Sequence, residues 1–190
     1  MFGQFEDCSI FINIFKMLNV IRMSSDRRYP VKRTEYCKIV GETRVDNISK
    51  ILKDLGFNVV ARKVEDDDAD ILVYRNNDLI LVIEVLNWRE NIYMDYNRVK
   101  SIIQNFSNPE YSDARKLLIF SFRKNIENQL RYFQSLNIDL LEVGFQTQPP
   151  QFYKFFKSKG NADGMRPNNL RTRELEKKKL LGYLQQKGLI

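Results

Sequence analysis

Residues 70–86, DILVYRNNDLILVIEVL, are the stretch of sequence that decides the predicted fold. Two apolar runs, residues 70–74 and 79–86, are separated by the polar segment Asn76-Asn77-Asp78, which is typical of a hairpin turn. The second run is almost continuously apolar, as expected of a central strand that is covered on both faces. Its one charged residue is Glu84. The stretch therefore predicts a pair of antiparallel strands with a carboxylate inside the sheet.

Regular helical and strand patterns surround this hairpin. A helix is predicted over residues 41–55, with Gly56 placed to end it, and a strand over residues 57–62. After the hairpin, a helix, a strand, a helix and a strand are predicted at residues 93–106, 116–122, 126–136 and 138–143. The order αβββαβαβ implies right-handed crossovers and partly parallel pairing. We therefore expect an α/β protein, a three-layer sandwich around a mixed sheet.

The length and charge of the chain divide it into three segments. A chain of 190 residues suits one hydrophobic core with additions, and we expect an N-terminal extension (1–40), a core domain (41–145) and a C-terminal tail (146–190). Residues 151–190 hold 10 basic and 3 acidic residues, a net charge of +7 that equals the charge of the whole chain. The tail, with a helix predicted over residues 171–186, is therefore expected to attract a polyanion such as DNA. The alternative is a merely solvated tail.

The sequence contains no histidine, and its two cysteines, Cys8 and Cys37, lack the CxxC spacing of a metal site. A zinc site of histidine and cysteine, a Ser-His-Asp triad and a Cys-His pair are therefore excluded. Any catalytic metal must have oxygen ligands, which favours Mg or Mn. Residues 9–22 are apolar but too short to span a bilayer, and no signal cleavage site follows them. We expect a cytoplasmic protein without a membrane anchor.

Three carboxylates are expected to converge at one end of the sheet. Glu84 lies in the most apolar segment, Asp70 begins the strand paired with it, and Glu42 shares a helical stripe with Val45 and Leu52. Such a group suits a hard divalent cation that activates water for phosphodiester hydrolysis. Each residue also has a structural alternative. Glu42 could interact with the helix dipole, Asp70 could be a turn residue, and Glu84 could belong to a buried ion pair.

The short motifs of this region appear in a recognisable order. GE at 41–42, LGF at 55–57, DILV at 70–73 and IEV at 83–85 lie within an αβββαβ frame. This series resembles the PD-(D/E)xK nuclease superfamily, especially archaeal Holliday-junction resolvase-like members. The resemblance implies a restriction-endonuclease-like sandwich, DNA as the substrate, a homodimer and Mg or Mn as the cofactor. It also implies that the metal ligands are Glu42, Asp70 and Glu84.

The chain departs from the family at one catalytic position. Where the family has a lysine, two residues beyond the glutamate, this chain has Leu86. Asn87 is next, but it is expected to point to the opposite face of the strand. Lys100 shares a helical stripe with Tyr93, Tyr96 and Gln104, and we expect it to replace the lysine; the alternative is a solvated helix lysine. The EVxNW variant is similar to a group found in crenarchaea and their viruses, which implies the host cytoplasm as the location if the protein is viral.

In the tail, aromatic and basic residues alternate over residues 152–159. Such a pattern can stack bases and neutralise phosphates, and the expected DNA contacts are Lys154, Lys157, Lys159, Arg171 and Arg173. Alternatively, the aromatic side chains pack on the domain or across a dimer interface. The predicted function is a metal-dependent DNA endonuclease, and selectivity for junction or branched DNA is an open part of this prediction. The other hypotheses are a catalytically inactive DNA-binding protein with the nuclease fold and, more weakly, an assembly protein.

Overall fold

The computed structural model of the chain describes residues 29–62, 68–89 and 93–190. Its helices are α1 (Arg33–Asp54), α2 (Tyr96–Asn105), α3 (Glu127–Ser135), α4 (Pro150–Ser158) and α5 (Leu170–Gln186), with a 3-10 turn at Pro109–Tyr111. Its strands are β1 (Asn58–Ala61), β2 (Ile71–Arg75), β3 (Asp78–Leu86), β4 (Arg115–Phe120), β5 (Ile138–Glu142), β6 (Gln146–Gln148) and β7 (Met165–Pro167). Residues 9–22, considered above as a membrane anchor, lie outside the described residues.

The predicted hairpin is confirmed, and its turn fixes the pairing of β2 with β3. Asn76 and Asn77 have φ angles of 51° and 70°, the left-handed conformation that tight hairpin turns require and that asparagine tolerates. The two strands are antiparallel, with Ile71 opposite Ile83, and the register shifts between Val73 and Tyr74. The end of β2 that lies far from the turn therefore meets the middle of β3.

The main sheet has the strand order β1-β2-β3-β4-β5. Strands β1, β2 and β3 pair antiparallel, whereas β3, β4 and β5 pair parallel, so the sheet is mixed and β3 is central. This confirms the predicted α/β class and the mixed sheet. The parallel half of the sheet follows from the strand-helix-strand units of the sequence. Each crossover helix returns the chain to the end of the sheet at which the previous strand began, so the next strand runs in the same direction.

Helices cover both faces of the sheet, and successive residues of β3 belong to different cores. Leu81 and Ile83 pack in one core with residues of α1 and α5. Val82 and Leu86 pack in the other with residues of α2 and α3. Because side chains alternate along a strand, Glu84 lies on the same face as Val82 and Leu86. The layers are therefore helix, sheet and helix, as predicted, and Glu84 faces the layer of α2.

Helix α1 begins at Arg33, eight residues before the predicted start. Its first turns are held by a third apolar cluster, in which Tyr36 and Val40 pack on Phe152 and Phe156 of α4. The sequence pattern did not predict β6, α4 or β7. Strand β6 is the sequence QTQ, entirely polar yet buried, so it has no apolar alternation from which a strand could be recognised.

A buried polar network connects the C-terminal helix to α1. The side chain of Arg44 is fully buried, and its Nε donates a hydrogen bond to Glu176 Oε1 of α5 at 3.1 Å. Its Nη1 donates to Ser121 Oγ at 2.8 Å, and its Nη2 donates to the Phe145 carbonyl and to Thr147 Oγ1. Burial lowers the pKa of Arg44, and the charge of Glu176 opposes this. Helix α5 is thus part of the core structure.

Among the helices that the structure describes, none combines the length and the apolar character needed to cross a membrane.

Candidate functional site

Glu84 is a carboxylate in the interior, with only 3% of its surface exposed. Asn105 of α2 donates its Nδ2 hydrogens toward both carboxylate oxygens, at 3.2 Å from Oε1 and 3.3 Å from Oε2. Arg98, two turns earlier on α2, has its Nη2 at 3.8 Å from Glu84 Oε1. Helix α2 therefore supplies an amide and a cation to a carboxylate that the sheet presents to it.

Asp70 lies beside Glu84. One residue beyond the Ile71–Ile83 pair, the hairpin register places Asp70 next to Glu84, and Asp70 Oδ2 accepts a hydrogen bond from the Val85 N–H at 2.7 Å. The Asp70 carbonyl accepts a further bond from the Arg62 N–H at 2.9 Å. Its backbone and side chain are thus both tied to neighbouring strands, which fixes the position of the carboxylate.

The two carboxylates disfavour each other's ionisation. Burial raises the pKa of Asp70 to about 6, while the Val85 hydrogen bond and the charge of Arg98 act in the opposite direction. Burial, followed by the charge of Asp70, raises the pKa of Glu84 to about 8, although Arg98 and Asn105 lower it. The pKa of both acids stays raised although Arg98 lies beside them, and an additional cation at this place would favour the ionised form of both.

Two of the three predicted metal ligands come together, and the third does not. Glu42 lies on α1, which packs on the opposite face of the sheet from Glu84. In the three described stretches of chain, no three histidine, cysteine, aspartate or glutamate side chains form a group that could hold a metal ion. Glu42 shared a stripe with core residues in the sequence, but that stripe faces the wrong side of the sheet.

Lys100, the predicted substitute cation, is exposed on the outer side of α2. The stripe that Lys100 was predicted to share with Tyr93, Tyr96 and Gln104 is exposed, Tyr96 to 77%, and the buried side of α2 is formed by Val99, Ile102 and Phe106. Lys100 therefore matches the predicted alternative, a solvated helix lysine, and the side of α2 that faces Glu84 carries Arg98 and Asn105. Arg98 and Asn105 were missed in the sequence. The signal was their spacing from the buried Ile102, since residues three or four positions apart share a helix face.

Leu86 and Asn87 have structural roles. Leu86 is 3% exposed and belongs to the core under α2 and α3. As predicted, Asn87 points to the other face, where its Nδ2 donates to the Val40 carbonyl at 2.6 Å and to the Thr147 carbonyl at 2.8 Å. Its Oδ1 accepts from the Thr147 N–H at 2.9 Å. Neither residue takes the place of the family's lysine beside Glu84.

The predicted DNA contacts of the tail lie mostly on the surface. Lys154, Lys157, Lys159 and Arg171 are exposed, whereas the Nε of the half-buried Arg173 donates to Asn168 Oδ1 at 3.0 Å. The interleaved aromatic residues behave differently, because Phe152 and Phe156 are buried against the N-terminal turns of α1. For those two side chains, the alternative of packing on the domain is confirmed, whereas Tyr153 and Phe155 are half-buried.

Comparison with known proteins adds little. No protein-family model and no curated protein matches the chain. Among solved structures, the crystal structure of AF1548, a protein of unknown function, is similar over 62% of this chain and 66% of that chain. The two sequences are 14% identical and the TM-score is 0.39. At this level the likeness does not bear on the site.

Proposed function

We propose that the protein is a metal-dependent DNA endonuclease of the PD-(D/E)xK type, in which Asp70 and Glu84 hold Mg or Mn. The observation that carries the proposal is the pairing of the buried Glu84 with the half-buried Asp70 beside the guanidinium of Arg98. Two neighbouring acids that are largely removed from water oppose each other's ionisation unless a proton or a cation compensates them. A homodimer and a location in the cytoplasm, or in the host cytoplasm for a viral protein, belong to this proposal through the family resemblance.

The donor set fits a hard divalent ion. Mg is commonly bound by one or two carboxylates while it keeps several waters and contacts substrate phosphates. Asp70 and Glu84 supply two such carboxylates, and the contacts of Glu84 with Asn105 and Arg98 are long, between 3.2 and 3.8 Å. When bound, the ion would supply Lewis acidity and an activated water.

The protein's own residues have separable roles in this proposal. Asp70 is held by the Val85 N–H, and Asn105 orients Glu84, so the two acids are fixed before a substrate binds. Arg98 is the cation beside them, and we assign to it the role of the family's lysine. A guanidinium can donate two parallel hydrogen bonds to a phosphate and stabilise the charge that develops on it. Leu86 offers no such group.

The decisive experiment compares the wild type with Glu84→Gln on labelled linear, flap and four-way DNAs in Mg or Mn. We expect the wild type to cleave at least one DNA form and the variant to lose cleavage. Addition of Mn should also raise the Tm of the wild type, because a ligand that binds only the folded state stabilises it, and should raise that of the variant less. Failure of the wild type to cleave every form would contradict the endonuclease proposal.

The second candidate is a catalytically inactive DNA-binding protein that retains the nuclease fold. Two observations favour it: Leu86 is committed to the core, and Arg98 already lies against Glu84. This candidate predicts DNA affinity that falls steeply with salt, no turnover, and no change of Tm with Mn. The Tm measurement thus separates the two functions even before a substrate is found.

A further inference from the structure

Two large aromatic side chains are exposed at the start of α2, Tyr93 just before the helix and Tyr96 in its first turn. Tyr93 is 63% exposed and Tyr96 is 77% exposed, the latter more than any other large apolar side chain in the described residues. Tyrosine rings normally bury much of their surface and contribute strongly to cores and interfaces. A ring left in water on a regular helix is therefore a candidate for contact with a ligand.

The chemistry of this face is polar and free of acids. Between residues 93 and 105, the exposed side chains are Tyr93, Tyr96, Asn97, Lys100 and Gln104. Tyr96, Lys100 and Gln104 are spaced by four residues, so they form one row with steps of about 6 Å along the helix. Rings, amides and one ammonium group, without a carboxylate or an aliphatic side chain, suit an anionic partner with flat groups better than an apolar protein surface.

The row lies close to the carboxylates. The inner side of the same helix carries Arg98 and Asn105, which contact Glu84. Because a helix with its side chains is about 10 Å across, a polymer bound to the outer row passes within a helix width of the site.

We propose that this row, Tyr96, Lys100 and Gln104, together with Tyr93 just before the helix, binds unpaired nucleotides, so that the preferred DNA contains a single-stranded segment. This inference rests on the proposed function and narrows its substrate class. In a duplex the base faces are covered by their neighbours, whereas unpaired bases can stack on exposed aromatic rings. Tyr96 and Tyr93 provide the rings, and Lys100 provides a phosphate contact.

The test measures the affinity of wild type and variants for a labelled oligothymidine strand and for a duplex of equal length, in EDTA to prevent cleavage. Tyr96→Leu should lower single-strand affinity by roughly tenfold, and Tyr96→Phe should retain it, because stacking needs the ring and not the hydroxyl. Duplex affinity should be unchanged in both variants. Lys100→Ala should reduce the slope of log affinity against log salt by about one, whereas Tyr96→Leu should leave that slope intact.

Several results would overturn the inference. Equal single-strand affinities of Tyr96→Leu and wild type would exclude stacking at this ring. A wild-type oligomer that dissociates in Tyr96→Leu would show that the face contacts a second copy of the chain. These outcomes leave the proposed function intact if the wild type still cleaves duplex DNA. If the wild type binds no DNA of any form, the proposed function fails as well.

Discussion

At the scale of single residues, the site depends on how Glu84 is tolerated in the interior. Removing a carboxylate from water has a large cost unless hydrogen bonds or opposite charges compensate it. Asn105 and Arg98 supply part of that compensation, and Asp70 adds a repulsive charge. Folding therefore favours the protonated form of Glu84, and this has consequences for stability that need no substrate to observe.

Glu84→Gln should change how stability depends on pH. The pKa of Glu84 is raised in the folded state to about 8, so the folded protein binds more protons than the unfolded chain between about pH 4.5 and pH 8. The free energy of unfolding of the wild type in EDTA should therefore fall as pH rises through this window. Glutamine carries no charge, so the variant should gain on the order of 2 kcal/mol relative to wild type at pH 8.

Urea denaturation at pH 5 and pH 8 measures this difference, with Glu174→Gln, at an exposed position on α5, as the control. A wild type and a Glu84→Gln variant that lose stability in parallel between the two pH values would contradict the prediction.

We expect substitutions of the two cationic residues of α2, Arg98 and Lys100, to have different effects on cleavage. Arg98→Gln should lower single-turnover cleavage at saturating DNA by roughly a hundredfold, because the removed guanidinium lies beside the carboxylates. Lys100→Gln should leave that rate nearly unchanged, since Lys100 is on the exposed side of the helix. Quenched-flow measurement with one labelled DNA suffices. The reverse order of effects would restore Lys100 as the residue that replaces the missing lysine.

At the scale of elements, a buried ion pair between Arg44 and Glu176 joins α1 to α5. Glu176→Ala should cost about 3–5 kcal/mol, because Arg44 would remain buried without its counter-charge. Glu174→Ala, two residues earlier and exposed, should change stability by less than about 0.5 kcal/mol. Chemical denaturation compares the two. Similar small effects of both substitutions would show that Arg44 is satisfied by its other partners.

Elements with a repeating apolar pattern could be predicted, and the others could not. Strand β3 and the turn at Asn76-Asn77 carry strong local signals, and their predicted positions match the structure closely. Strand β6 is polar and buried because its partners, such as Arg44 with Thr147, come from distant parts of the chain. The local pattern of apolar and polar residues contains no information on contacts between distant parts of the chain. Arg98 and Asn105 were missed for a related reason, since their contacts with Glu84 join α2 to a different element of the fold.

At the scale of the whole molecule, the net positive charge is concentrated in the C-terminal forty residues, although some of these residues belong to the same apolar core as the main sheet. The exposed lysines of α4 are the natural test of whether this charge binds DNA. Lys154→Ala with Lys157→Ala should reduce the slope of log affinity against log salt by about two. Lys50→Ala with Lys53→Ala, a pair with the same spacing on α1, is the matched control. If filter binding gives the same slope of log affinity against log salt for both double variants, α4 does not contact the DNA.

The candidate site, like the fold, could be predicted only where it depends on residues that are close in sequence. The pairing of Asp70 with Glu84 follows from a hairpin that is local in sequence, so it could be predicted. The position of Glu42 depends on which face of the sheet α1 covers, and the cation depends on the rotation of α2. Both are set by packing of whole layers, which one sequence does not specify.

The length of the two-asparagine turn sets the register of the hairpin and therefore the position of Asp70 relative to Glu84. The five residues of β2 separate Asp70 from Asn76, about 20 Å along an extended chain, yet the turn length helps to determine which residue of β3 Asp70 meets. Because side chains alternate, one glycine inserted between Asn76 and Asn77 should turn the acids to opposite faces if the slip propagates along β2. Loss of the Mn-induced rise in Tm, with the fold retained by circular dichroism, would report that separation. A surface loop remote from the acids would then control whether they can act together, and an unchanged Tm response would show that the strands absorb the insertion locally.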